Sequence, residues 1–127
     1  MHILKLKILP HQYSIHRLLP KHELPNLFYK KKFFSFTSTD DETSLICESS
    51  FDIKDSVRDD RWSCIKLVGQ LNVEETGIWS RITSTCSNCD CAVLTVTTFN
   101  TDYFLVKTMQ LEKLKSFFLK NYFVFVD

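Results

Sequence analysis

Three cysteines lie close together in the second half of the chain, in the pattern Cys86-x-x-Cys89-x-Cys91. Thiolates at this spacing could bind zinc or an iron–sulfur cluster if a fourth ligand joined them, and Cys47, Cys64 or a histidine could take that role. The sequence has no second C-x-x-C pair and no H-x-x-x-H pattern. Because a free cysteine also packs as a small apolar side chain, the pattern favours packing in the core, with a thiol-based metal or redox protein as the alternative.

Motifs of the common enzyme classes are missing from the sequence. The only two glycines, Gly69 and Gly77, are too few for a dinucleotide-binding or phosphate-binding loop. No G-x-S-x-G nucleophile motif occurs, and all four histidines lie within the first 22 residues without the spacing of metal ligands. We therefore expect no enzyme, no cofactor and no bound metal.

The composition is that of a globular protein without a charge bias. Of the 127 residues, 44% are hydrophobic and 24% are charged, and the formal net charge is +1. This balance argues against nucleic-acid binding, and we interpret the longest basic run, Lys30-Lys31-Lys32, as a solvated edge. No stretch approaches the roughly 20 apolar residues of a membrane span, and no secretory signal is apparent. Five cysteines, an odd number, then indicate reduced thiols and a cytoplasmic protein.

The hydrophobic pattern after residue 61 predicts a regular order of strands and helices. Strands are expected at 62–68, 91–99, 103–107 and 122–126, with helices at 76–88 and 109–119. The first helix would have Thr76 as its N-cap and Gly77 in its first turn. This βαββαβ order predicts an α+β, ferredoxin-like fold, in which an antiparallel sheet is covered by both helices on one face.

The first part of the chain repeats only the opening of that plan. All three prolines lie between residues 10 and 25, so this part of the sequence is expected to be rich in loops. Strands are expected at 2–9, 33–39 and 44–48, the last two forming a hairpin, with a short helix at 24–32 that begins near Pro25. Residues 51–61 have no clear period and are interpreted as a connector. We therefore expect two halves, 1–60 and 61–127, of which the first is incomplete and shares strands with the second.

Several short motifs in the two halves of the chain are informative as a set. In the second half these motifs are TGI at 76–78 and TTFNTDYFLVK at 97–107. In the first half they are YSIHRL at 13–18, FFSFT at 33–37 and DETSLIC at 41–47. Together they resemble the ACT-domain family, and more narrowly the small tandem-ACT proteins related to the cytosolic arginine sensor. The resemblance implies two βαββαβ units and a non-catalytic activity, the binding of a free amino acid to regulate a partner protein.

The resemblance also suggests where such a ligand would bind. The amides at the start of the predicted helix, at Gly77 and Ile78, can meet a carboxylate with the help of the helix dipole. Asp102 follows Asn100 and Thr101 in the predicted hairpin and resembles the family's acid that faces the ligand. The alternative for Asp102 is an ordinary turn aspartate. The expected ligand-binding residues are therefore Gly77, Ile78, Asn100, Thr101 and Asp102.

Some residues depart from the family pattern or leave their role open. The family usually has glycine where this chain has Asp90, small or apolar residues at the three clustered cysteines, and tryptophan where it has Leu27. Glu74 and Glu75 flank the expected site and serve equally well as partners of the helix dipole. Residues 13–17 are either a loop anchor or ligand contacts. A homodimer is expected, and a protein-interaction module with a degenerate pocket is the other alternative.

Overall fold

The computed structural model describes residues 3–69 and 77–127. The chain divides into two compact units, which we call the large unit (Met1–Pro10 and Trp62–Asp127) and the small unit (His11–Arg61). These units differ from the expected halves, 1–60 and 61–127, in that the first ten residues belong with the second half. As a division into domains, the two halves stay a prediction.

The secondary structure is mixed. In chain order the strands are β1 (Leu4–Ile8), β2 (Tyr13–Leu18), β3 (Ser35–Ser38), β4 (Thr43–Glu48), β5 (Val57–Val68), β6 (Val93–Thr97), β7 (Asp102–Lys107) and β8 (Phe123–Phe125). The helices are α1 (Ile78–Asn88) and α2 (Leu111–Lys120), and short 3-10 helices occupy Asn26–Lys30 and Thr108–Gln110. No helix in the described part of the chain is long and apolar enough to span a membrane.

The large unit has the predicted βαββαβ order, β5-α1-β6-β7-α2-β8. Its strands lie in the order β6-β7-β5-β1-β8, and every neighbouring pair is antiparallel except β1 with β8. In a βαββαβ unit with right-handed crossovers the first and last strands would be neighbours, and here β1 lies between them. The N-terminal strand therefore completes the sheet of the second half. The sequence analysis expected the halves to share strands but did not say which strand would be shared or where it would lie.

Both helices of the large unit pack on the same face of this sheet, as predicted. Ile82 of α1 and Leu114 and Phe118 of α2 are fully buried against strand residues such as Ile65 and Phe104. Burying each of these side chains stabilises the fold by roughly 1.5–3 kcal/mol. Because α1 and β7 both contribute side chains to this core, their packing sets the position of the start of α1 relative to β7.

The small unit contains an antiparallel sheet in the order β3-β4-β2. The β3–β4 hairpin was predicted and is closed by the Thr39 amide, which donates to the Glu42 carbonyl at 2.9 Å. The strand β2 was not predicted, because prolines on both sides made its sequence look loop-rich. Its residues Ser14, His16 and Leu18 are buried and lie opposite Cys47, Leu45 and Thr43 of β4.

Two local predictions for the small unit need correction. The helix expected at 24–32 is a 3-10 helix, Asn26–Lys30, with Pro25 at its N-cap and Phe28 buried beneath it. The connector expected at 51–61 ends early, because β5 already begins at Val57. Residues 57–61 of this strand are mostly charged and exposed, so they carry no alternating apolar pattern that would indicate a strand.

Candidate functional site

The start of α1 leaves its first amides without a side-chain cap among the described residues. The helix begins at Ile78 with Gly77 at the N-cap, one residue later than predicted, and its first turn carries no acidic residue. Thr76, Glu74 and Glu75, which were candidates for this region, lie outside the described residues. A Cβ at Gly77 would meet no described atom within 4 Å. Amides in the first turn of a helix are donors that can serve an anion.

The hairpin between β6 and β7 is closed by its own threonines. The Thr98 amide donates to the Thr101 carbonyl at 2.9 Å, and the Thr101 amide donates to Thr98 Oγ1 at 3.2 Å. Asn100 is exposed at the tip, and Thr101 is half-buried. These bonds shape the turn without the carboxylate of Asp102, the first residue of β7.

Asp102 lies on the helix-covered face of the sheet. Side chains alternate along a strand, so Asp102 shares a face with Phe104 and Val106, both fully buried in the core beneath the helices. In the first turn of α1, the Trp79 ring packs edge-on against Phe104, with 6.2 Å between ring centroids. The structure therefore brings the start of α1, with Gly77 and Ile78, to the end of the large unit where Asp102 lies.

The Asp102 carboxylate has an unmet hydrogen-bonding capacity. Its Oδ1 atom is buried and has no hydrogen-bond partner among the described residues, although the side chain as a whole is only half-buried. A buried acceptor without a partner costs free energy in the folded state. A buried group of this kind requires an explanation, and a ligand that it binds is one such explanation.

The cysteine pattern is explained by the end of α1. Asp90 has a left-handed backbone, φ 54°, and the Cys91 amide donates to the Cys86 carbonyl at 2.9 Å while the Asp90 amide donates to the Ser87 carbonyl at 3.0 Å. This is a Schellman motif with Asp90 at C′, where glycine is usual. The motif places Cys86, Cys89 and Cys91 in the core, which confirms the packing interpretation.

Burial disfavours the reactive thiolate form of Cys86 and Cys91. Burial raises the pKa of the Cys86 thiol to about 12 and that of Cys91 to about 11. The thiolate, not the thiol, is the metal ligand and the nucleophile. Among residues 3–69 and 77–127, no group of three or more histidine, cysteine or acidic side chains is placed to hold a metal ion.

The small unit contains a polar cluster that the sequence pattern did not reveal. Ser14 donates to Asp60 Oδ1 at 2.5 Å and lies 2.7 Å from Ser49 Oγ. The Arg58 guanidinium donates to the same Asp60 oxygen at 2.7 Å, to Ser14 Oγ at 3.1 Å and to the Ser49 carbonyl at 2.9 Å. The Ser14 hydroxyl and Arg58 lower the pKa of the Asp60 carboxyl. Since every partner here is used within the cluster, we interpret it as structural.

His16 lies beside this cluster with its ring fully buried. Ser56 donates its hydroxyl proton to the Ile53 carbonyl, so the His16 Nδ1–H must be the donor to Ser56 Oγ at 3.0 Å. His16 Nε2 is then the unprotonated ring nitrogen and can only accept a hydrogen bond, and it has no partner among the described residues. Burial, followed by repulsion from Arg58, lowers the pKa of His16 below its usual 6.5. The ring is therefore neutral at physiological pH.

Two cavities lie away from the predicted site. One, of about 30 Å³, is in the small unit and is lined mainly by apolar side chains including Leu18, Phe28 and Leu45. The other is an open groove of about 210 Å³ along α1, lined by Ser80, Arg81, Ser84, Thr85, Asn88 and Asn121. Arg81 donates to the Asn121 carbonyl at 3.1 Å and lies over the Phe123 ring, so it stabilises the end of α2.

Comparison with known proteins identifies the family. Residues 57–114 match the model of an ACT domain, and residues 11–52 match the model of an N-terminal domain. A protein of Agobacterium tumefaciens, solved in a structural genomics programme, is 32% identical and has a TM-score of 0.90, over 99% of this chain and 94% of its own. The chain belongs to the ACT-domain family. No curated protein matches it.

More distant solved structures share the fold of this ACT-domain protein. The regulatory subunit of aspartate kinase from Thermus thermophilus has a TM-score of 0.66 at 6% identity, over 94% of this chain and 99% of its own. A Vibrio cholerae protein described as a possible transport protein has a TM-score of 0.70 at 8% identity, over 94% and 90% of the two chains. The ACT-domain match at 57–114 includes both the start of α1 and Asp102.

Proposed function

We propose that this protein is a non-catalytic regulatory module that binds a free amino acid between the start of α1 and the β6–β7 hairpin. One observation carries the proposal. Asp102 Oδ1, which is buried and has no partner among the described residues, lies at the end of the large unit where α1 begins with Gly77 and Ile78, and no described side chain caps that helix start. Membership of the ACT-domain family supports it.

The helix start and the Asp102 carboxylate suit the two charges of a zwitterionic amino acid. The amides of Gly77 and Ile78, with the positive end of the helix dipole, suit an α-carboxylate. The Asp102 carboxylate suits an ammonium or a guanidinium, through a charge-assisted hydrogen bond. We expect a ligand with both charges to bind more tightly than an amine or a carboxylic acid that carries only one of them.

Thermal unfolding against the twenty amino acids, each at about 1 mM, tests the proposal. A ligand with a dissociation constant of about 10 μM would stabilise the native state by about 2.7 kcal/mol, because it binds only the folded protein. For a domain of this size that corresponds to a rise in Tm of about 10 °C. Isothermal titration calorimetry then gives the affinity directly.

Paired variants connect the binding to the site. Asp102→Asn keeps the shape of the side chain and removes its charge, so the rise in Tm should disappear. Asp41→Asn makes the same change at the exposed β3–β4 hairpin and should leave the rise intact. A failure of all twenty amino acids, or equal effects of the two variants, would contradict the proposal.

We further propose that the protein acts as a cytoplasmic homodimer. Within the described large unit, β6 pairs only with β7, and residues 92–98 around β6 carry no charged side chain. An uncharged edge strand invites pairing with another chain. Thr95→Lys on this edge should shift the protein to monomer in light scattering after size exclusion, and Thr83→Lys on the exposed face of α1 should not.

A further inference from the structure

The 3-10 helix of the small unit presents apolar and basic side chains outward together. Leu27 is 49% exposed and Tyr29 is 71% exposed. The lysines that follow, Lys30, Lys31 and Lys32, are all exposed. We call these five residues the basic apolar patch.

Aromatic side chains packed beneath the basic apolar patch hold it in position. Phe28 is 2% exposed and packs against Phe51 and Phe34, at 4.8 and 6.0 Å between ring centroids. The Tyr29 ring, although exposed, contacts the edge of Phe34 at 5.7 Å. The Lys31 ammonium lies 4.8 Å from the centre of the Phe51 ring. Little conformational freedom is therefore lost when this surface meets a partner.

The charge of this part of the chain differs from that of the rest. Residues 24–39 contain the three patch lysines and no acidic residue, although the whole chain has a net charge of only +1. The remainder of the chain is therefore net acidic. The patch is a local positive surface with apolar side chains among its charges.

We infer that the basic apolar patch docks reversibly on an anionic lipid surface. Lysines near a membrane are attracted to anionic headgroups, and an exposed leucine and tyrosine gain by entering the interface. A nucleic acid would use the lysines and stack on Tyr29, but it offers no apolar environment to Leu27. The combination of both apolar side chains with the lysines therefore favours lipid.

Sedimentation of the full chain with vesicles tests this inference. Vesicles of phosphatidylcholine with about 30% phosphatidylserine should pellet the protein at low salt, and vesicles of phosphatidylcholine alone should not. Added salt should weaken the binding, because the interaction is screened. No binding to the anionic vesicles would overturn the inference.

Matched variants distinguish binding through the basic apolar patch from a general effect of positive charge on the protein. Replacing Lys30, Lys31 and Lys32 with Gln should lower the partition coefficient by about 100-fold, since each surface lysine contributes about fivefold. The same change at three other exposed lysines is the control, which should have a much smaller effect: Lys54, Lys113 and Lys120. Equal losses in the two triple variants would overturn the inference.

A second pair of variants tests the apolar part. Leu27→Ser with Tyr29→Ser should lower binding to anionic vesicles, whereas Leu119→Ser with Tyr122→Ser, at residues 58% and 55% exposed, should not. Unchanged binding of the first double variant would mean charge adsorption alone and would contradict lipid insertion. Tighter binding to a single-stranded oligonucleotide than to vesicles would also contradict it. Circular dichroism checks that every variant is folded.

Discussion

Asp102→Asn should stabilise the protein without ligand while abolishing amino-acid binding. The carboxylate oxygen Oδ1 is buried and has no partner among the described residues, and the turn beside it is closed by Thr98 and Thr101. Folding therefore desolvates part of a charged group and gains no described hydrogen bond in return. The amide of Asn has the same shape but is cheaper to bury.

The expected gain is about 1 kcal/mol. A buried polar group without a partner costs about 1–3 kcal/mol, and Asp102 is only half-buried, so the lower end of that range applies. Asn does not remove the cost completely, because its own oxygen would also be buried. A gain of about 1 kcal/mol corresponds to a rise in Tm of about 4 °C for a domain of this size.

Urea denaturation of the wild type and of Asp102→Asn, without ligand, measures this difference. Asp41→Asn is the control, and because Asp41 is exposed its effect should stay within about 0.5 kcal/mol. If Asp102 instead stabilised the hairpin turn, Asp102→Asn would lower the free energy of unfolding. A loss of more than about 1 kcal/mol in Asp102→Asn would therefore refute the reasoning that assigns this carboxylate to a ligand.

Three further outcomes follow from other residues. The free energy of unfolding should fall as the pH drops below 6.5, because His16 binds a proton more readily in the unfolded chain than in the buried site, where its pKa is lowered. Denaturation at about pH 7.5 and 5.5 measures this fall, which should be smaller in His16→Gln. Asp90→Gly should raise the free energy of unfolding by about 1 kcal/mol, since φ is 54° and the carboxylate lies at the negative end of α1, and Asp90→Ala should gain less. Cys86 and Cys91, with pKa values of about 12 and 11, should react with a disulfide reagent far more slowly than in the unfolded chain; equal rates would contradict their burial.

The sequence pattern predicted the elements whose side chains alternate or repeat clearly. In α2, apolar side chains recur at helical spacing on one face, which packs into the core: Leu111, Leu114, Phe117 and Phe118. The β6–β7 hairpin was predicted from its β-branched residues and the turn at residues 100–102. These elements depend on local periodicity, which a single sequence contains.

The parts that were missed depend on contacts between distant residues. The strand β1 lies between β5 and β8, and nothing in its own sequence names those partners. The strand β2 looked like a loop because of the flanking prolines, and its pairing with β4 decides its conformation. Likewise, Ser14 and Arg58 meet across 44 residues of chain.

The candidate site, like the fold, could be predicted only in part. The resemblance to the ACT family pointed to Gly77, Ile78 and Asp102, and their roles as ligand contacts stay a prediction. The sequence alone could not reveal that Asp102 Oδ1 is buried without a partner among the described residues, because burial depends on contacts between distant parts of the chain. The left-handed turn at Asp90 was expected from the glycine that the family usually has there.

Calorimetric titration of the purified protein with the amino acid that raises its Tm most is the most direct test of the central claim. The account predicts saturable binding of one class of ligand, which is retained in Asp41→Asn and lost in Asp102→Asn although the latter is at least as stable as the wild type. Binding that survives in Asp102→Asn would contradict the proposed site. A chain that binds none of the twenty amino acids would contradict the proposed function itself.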